Sequence, residues 1–121
     1  MNKLFVSYEL AKLAIEKGFK DVCLAYYCSD GITMVNPTMR QLKRHPFIGA
    51  PLYQQLVDWF LEKHDIFVET LIFDRGFLEK NKFCFQWRIY NKSEEWETNL
   101  TEYKSPIEAL TKALEEAFKL I

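Results

Sequence analysis

The stretch Pro51–Phe73, PLYQQLVDWFLEKHDIFVETLIF, changes its hydrophobic period once and almost without a break, and that change limits what the chain can fold into. In its first part Leu52, Leu56, Trp59 and Phe60 recur at helical spacing, with Tyr53, Val57 and Leu61 widening the stripe enough to face a core. Gln54, Gln55, Asp58, Glu62 and Lys63 fill the other side. Pro51 suits the first helical turn, where a missing N–H costs nothing, and Lys63 and His64 complement the helix dipole in the last. From Ile66 the pattern alternates: Ile66, Val68, Thr70 and Ile72 on one face, Phe67, Glu69, Leu71 and Phe73 on the other. Both sets are largely apolar, which predicts a central strand covered on both sides. A helix that reaches its strand with so little connection packs on its own sheet.

The rest of the chain supplies the other layers. Ser7 is placed to cap a helix over about 7–18, with Leu10, Ala11, Ala14 and Ile15 on one face. Gly18 and Phe19 are placed to close it in a Schellman turn. Asp21–Tyr27 and Ile32–Val35, around Ser29-Asp30-Gly31, read as a hairpin over about 21–35. Residues 36–50 are broken by Asn36-Pro37, His45-Pro46 and Gly49 into an irregular connection, a kind of segment that often carries function. After the helix over about 51–64, Phe83–Tyr90 and Trp96–Tyr103 alternate and complete an antiparallel meander over about 66–103. In the first of these, Phe83, Phe85, Trp87 and Ile89 form the apolar face. Ser105-Pro106-Ile107-Glu108 then joins an N-cap serine, an N1 proline and a capping-box glutamate. The helix it opens, over about 106–121, carries Ile107, Leu110, Leu114, Ala117, Phe118 and Ile121 on one stripe. The expectation is a single small α+β domain: an antiparallel sheet of 3–5 strands with three helices packed mainly on one face.

The 121 residues suit one domain and bury roughly two-thirds of the unfolded surface, enough for a core without staples. A hydrophobic share of 49% excludes a disordered chain. No apolar run approaches the roughly 18 residues of a membrane helix, and MNKLFVSYEL lacks the apolar region of a signal peptide, so a cytoplasmic protein is expected. Net charge is −1. The first 60 residues carry seven Lys/Arg against five Asp/Glu and the remainder nine against twelve, a mild polarity that does not mark a nucleic-acid protein. Cys23, Cys28 and Cys84 are odd in number and unpaired in spacing, which reads as free thiols.

Three segments carry a family resemblance: YELAKLAIEKGF (Tyr8–Phe19), APLYQQLVDWFLEKHDIFV (Ala50–Val68) and YKSPIEALTKALEEAFKLI (Tyr103–Ile121). The chain resembles the small proteins of unassigned chemistry encoded by prophages and other mobile elements of gut bacteria. Those proteins have a tyrosine-bearing first helix ending in Gly-Phe, an Ala-Pro before a Trp-containing helix, and a closing helix introduced by Ser-Tyr-Glu-Glu-Ala. The resemblance covers most of the chain except Asn36–Gly49, and Pro106 and Ile107 stand where the closing motif has Tyr and Glu. It implies a setting, the cytoplasm of a bacterial host cell, and carries over no catalytic residue.

Chemistry is thinly represented. Cys23, Cys28, Cys84, His45 and His64 lack the paired spacing of a zinc site, and small buried hydrophobes are the reading for the cysteines. Neither a nucleophile elbow nor a helical HExxH occurs, so no catalytic residue, metal or cofactor is expected. Arg40, Lys43, Arg44 and His45 form the one tight basic cluster, and Tyr26, Tyr27 and Tyr90 are candidates for exposed rings. Together they suggest contact with nucleic acid or with a partner. The leading expectation is a non-enzymatic accessory protein that binds a protein partner or a copy of itself, with a nucleic-acid-binding accessory protein using Arg40–His45 as the alternative. Meander edges invite such pairing.

Overall fold

The computed structural model describes residues 4–28, 30–31, 34–35, 47–74, 83–91, 96–98 and 103–121. Its elements are α1 (Tyr8–Glu16), β1 (Ala25–Tyr27), β2 (Met34–Val35), β3 (Ile48–Ala50), α2 (Tyr53–His64), β4 (Phe67–Asp74), β5 (Phe83–Tyr90), β6 (Trp96–Thr98) and α3 (Pro106–Phe118). The class is α+β. Among the described residues the strands form two antiparallel sheets of three, ordered β2-β1-β3 and β4-β5-β6, rather than one shared sheet. The chain divides into two compact units, Met1–Leu56 and Val57–Ile121.

In the first unit, Ser7 Oγ accepts the Leu10 N–H and opens α1. Gly18, at φ 101°, ends it: the Phe19 N–H bonds Ala14 O and the Gly18 N–H bonds Ile15 O, the paired bonds of a Schellman turn. Leu10, Ala11 and Ala14 are buried, whereas Ile15, expected on the same face, is exposed. Strand β1 is central and shorter than the expected Asp21–Tyr27. Its register with β3 ends at Ala25↔Ala50 because the next position on β3 is Pro51, which has no N–H to continue the ladder. Val22 and Leu24 are left exposed. The Pro51 carbonyl accepts the Val6 N–H instead, at 3.0 Å. The sequence places Ile48–Ala50 in the irregular connection; its place in the sheet comes from pairing across to Ala25, Tyr26 and Tyr27, not from its own short sequence.

Helix α2 starts at Tyr53, so Pro51 lies before the cap and not in the first turn. Gln55 Oε1 accepts the Leu52 N–H at 3.2 Å, the return half of a capping box, and Leu52 O accepts the first helical bond from Leu56. After His64 only Asp65, in the left-handed region at φ 56°, and Ile66 precede β4.

In the second unit Trp59 and Phe60 of α2 pack on Phe118 of α3, with ring centroids 6.1 and 4.8 Å apart. Leu61, expected to widen the α2 stripe, is exposed. Helix α3 is capped by Ser105 Oγ, which accepts the Glu108 N–H, and Pro106 takes the first position. It lies on β4 and β5. Its fully buried line runs through Ala109, Ala113 and Ala117, with Leu114 and Phe118. The expected Ile107, Leu110 and Ile121 are only half-buried, because small side chains at every fourth residue bring the helix backbone close to the sheet. Strand β4, expected to be central and covered on both faces, is the edge of its sheet, and β5 is central. Among the described side chains of these strands the buried ones are Val68, Trp87 and Ile89, all on one face.

Candidate interaction edge

Arg40, Lys43, Arg44 and His45 lie outside the described residues. Tyr26 is half-buried on β1, and its hydroxyl oxygen accepts the Cys23 N–H at 3.5 Å. Tyr27 is not an exposed ring. It belongs to the core of the first unit, its hydroxyl donates to the Val6 carbonyl at 2.6 Å, and its ring meets Tyr8 edge-on with centroids 5.6 Å apart. Burial raises its phenol above the ordinary range, with smaller contributions from Tyr53 and Glu9.

The cysteines are free. Cys23 is buried, lies close to Gly49, and directs its Sγ at the Asp21 carbonyl, 3.6 Å away. Burial, helped by the Asp21 charge, pushes its thiol up to about 11, the reverse of what a nucleophile or metal ligand needs. His64 stacks edge-on against Trp59 at 4.7 Å. Among the described residues no three His, Cys, Asp or Glu side chains gather to hold a metal ion.

The second sheet offers a different kind of site. Phe85 exchanges both backbone bonds with Tyr103, at 3.0 and 2.9 Å, so the odd-numbered residues of β5 direct their N–H and C=O groups toward β6. The even-numbered residues of β5 therefore serve β4, through the registers Leu71↔Gln86 and Glu69↔Arg88. By the same alternation Val68, Thr70 and Ile72 direct theirs to the outer edge of β4. Among the described residues no strand pairs with that edge. It belongs to an eight-residue strand, FVETLIFD, without the Lys or Pro that usually blunts an edge. Beside these outward-directed backbone groups Ile72 is 67% exposed.

The outer face of the same sheet is amphipathic and electrically closed. Glu69 and Arg88 stand directly opposite in register, and Arg88 Nε donates to Glu69 Oε1 at 2.7 Å. The Arg88 guanidinium also lies over the Tyr90 ring, 5.0 Å from its centroid, and Phe67 tilts against Tyr90 at 6.2 Å. Phe67 is 40% exposed. The arrangement provides backbone hydrogen bonds along an edge, one exposed aliphatic side chain beside them, and an aromatic surface whose arginine is already satisfied.

Of these residues only Tyr90 stood out in the sequence. Glu69, the one charge inside the apolar run Ile66–Phe73, marks its face of the strand as the wet one but carries no sign of the edge. No helix among the described residues is long and apolar enough to cross a membrane. No family model matches the chain, and neither does a curated protein or a solved structure.

Proposed function

We propose that this chain is a non-enzymatic accessory protein that works by binding another protein, which adds a strand to the outer edge of β4. The observation that carries the reading is the edge itself: the outward-directed backbone groups of Val68, Thr70 and Ile72 on a long strand, with Ile72 exposed beside them. Main-chain bonds along such an edge supply affinity, and the neighbouring side chains select the partner. The motifs of Tyr8–Phe19, Ala50–Val68 and Tyr103–Ile121 support placing this activity within a phage or mobile element.

A photoreactive amino acid at position 72, compared with one at the exposed Lys112 on α3, tests the reading inside cells that make the protein. The expected result is a discrete protein adduct from position 72 that is absent from position 112. Adducts of equal yield from both positions, or none from position 72, overturn it.

A further inference from the structure

We infer that the occupant of the β4 edge is a second copy of this chain, so that two sheets join across a two-fold axis into one of six strands. This rests on the edge-binding reading above and names its partner. A two-fold contact sets a surface against itself, and two outer edges bond only where their outward-directed residues face each other. Antiparallel self-pairing of β4 therefore has few registers, each centred on one residue that faces its own copy.

Centring on Glu69 sets like charges directly opposite, which is destabilising. Centring on Leu71 brings Asp74 opposite Val68 and Glu69 opposite Phe73, acids against apolar positions. Centring on Val68 or Ile72 leaves the overlap within β4 at five residues or fewer, given its span of Phe67–Asp74. Centring on Thr70 pairs residues 67 to 73, sets no like charges opposite each other, and leaves one acid, Glu69, against an apolar position, where centring on Leu71 leaves two. Thr70 meets Thr70, a favourable cross-strand pair, and the exposed Ile72 stands opposite Val68. Glu69 faces Leu71 while Arg88 of its own chain holds its charge. Of these registers the Thr70-centred one comes nearest to self-complementarity.

The test is light scattering on the purified full chain, joined to a cross-linking map. The wild-type protein is expected at twice the chain mass. Ile72→Lys, a change at an exposed position, should run as a monomer at the same concentration with unchanged circular dichroism. In a Cys28→Ser, Cys84→Ser background, Thr70→Cys should be captured by diamide as a disulfide-linked dimer and Leu71→Cys should not. A residue on the axis meets its own copy at about 5.5 Å between Cα atoms, inside the disulfide range, and its neighbours do not. A wild-type monomer overturns the inference, and so does a dimer indifferent to Ile72→Lys or captured better through Leu71→Cys. If a monomeric chain still gives a position-72 adduct with a protein of another mass, only the self-pairing is lost. If it gives no adduct, the edge reading falls with it.

Discussion

A Cβ on Gly49 would lie 2.9 Å from Cys23 Sγ, with Tyr26 Cε1 at 3.5 Å and Cys23 Cβ at 3.6 Å. Only the sulfur contact is too close, by more than half an ångström relative to an ordinary contact of about 3.5–4 Å. Neither side yields freely. Gly49 is held opposite Tyr26 in a three-residue strand, and the following Pro51 is bonded to Val6. Overpacking of this kind costs about 1–3 kcal/mol. Losing a glycine's freedom from the unfolded chain offsets about 0.4–1 kcal/mol, because no left-handed φ stands in the way. Gly49→Ala should therefore destabilise by about 1–2 kcal/mol. Cys23→Ala, which removes one buried atom, should cost about 1 kcal/mol. In the double variant the new methyl occupies the space the sulfur left, so stability should return to near wild type. Urea midpoints at constant slope read the coupling, expected at about 1 kcal/mol or more. Additive effects within about 0.5 kcal/mol would refute the contact between Gly49 and Cys23.

The Cys23 thiol, pushed up to about 11, should alkylate with iodoacetamide at pH 8 roughly a hundredfold more slowly than a thiol at its ordinary value, by mass mapping of the labelled peptide. Because the folded chain holds this proton to higher pH than the unfolded chain, its stabilising contribution is complete below pH 9 and is lost as pH rises toward about 11. The alkaline fall in urea midpoint should accordingly be shallower in Cys23→Ala. Tyr27→Phe strands the buried Val6 carbonyl and should cost about 1–3 kcal/mol in the same assay. Ser105→Ala removes the acceptor for the Glu108 N–H and should cost about 1 kcal/mol, read as a lower thermal midpoint. Raising salt should leave the dimer mass proposed above unchanged in light scattering, since a contact along the β4 edge would rest on backbone bonds and apolar side chains.

What the sequence disclosed was the local chemistry. The Schellman turn at Gly18-Phe19 and the Ser105-Pro106 cap depend on a few adjacent residues, and both form as the pattern predicts. The α+β class follows in the same way, from the change of period after His64. What stayed hidden was decided by partners distant in sequence. Ile48–Ala50 is a strand because β1 is there to receive it, and Pro51 sets where β1 stops. The apolar run Ile66–Phe73 satisfied the pattern of a doubly covered strand, yet its strand forms an edge, because pairing order is not written in periodicity. The same blindness applied to the candidate site. Rings and cations stand out as letters, so the sequence points to Tyr27 although it is buried, while the β4 edge, made of backbone, has no letter of its own.

That distinction also bears on the choice of partner. A sheet that stacks single-stranded nucleic acid needs open rings beside cations free to meet phosphate. On the outer face of β4 and β5 the rings are present, but Arg88 is committed twice, to the Glu69 carboxylate and to the face of Tyr90. Cross-strand placement at Glu69↔Arg88 makes that commitment part of the fold and not a chance surface encounter. A phosphate binding there would have to displace a carboxylate that is held opposite by the sheet. The surface thus offers a phosphate no uncommitted cation at Arg88, while the edge beside it presents the backbone groups of Val68, Thr70 and Ile72. Binding that relied on Arg40, Lys43 and Arg44 would weaken as salt replaces released counterions, and binding along the β4 backbone would not.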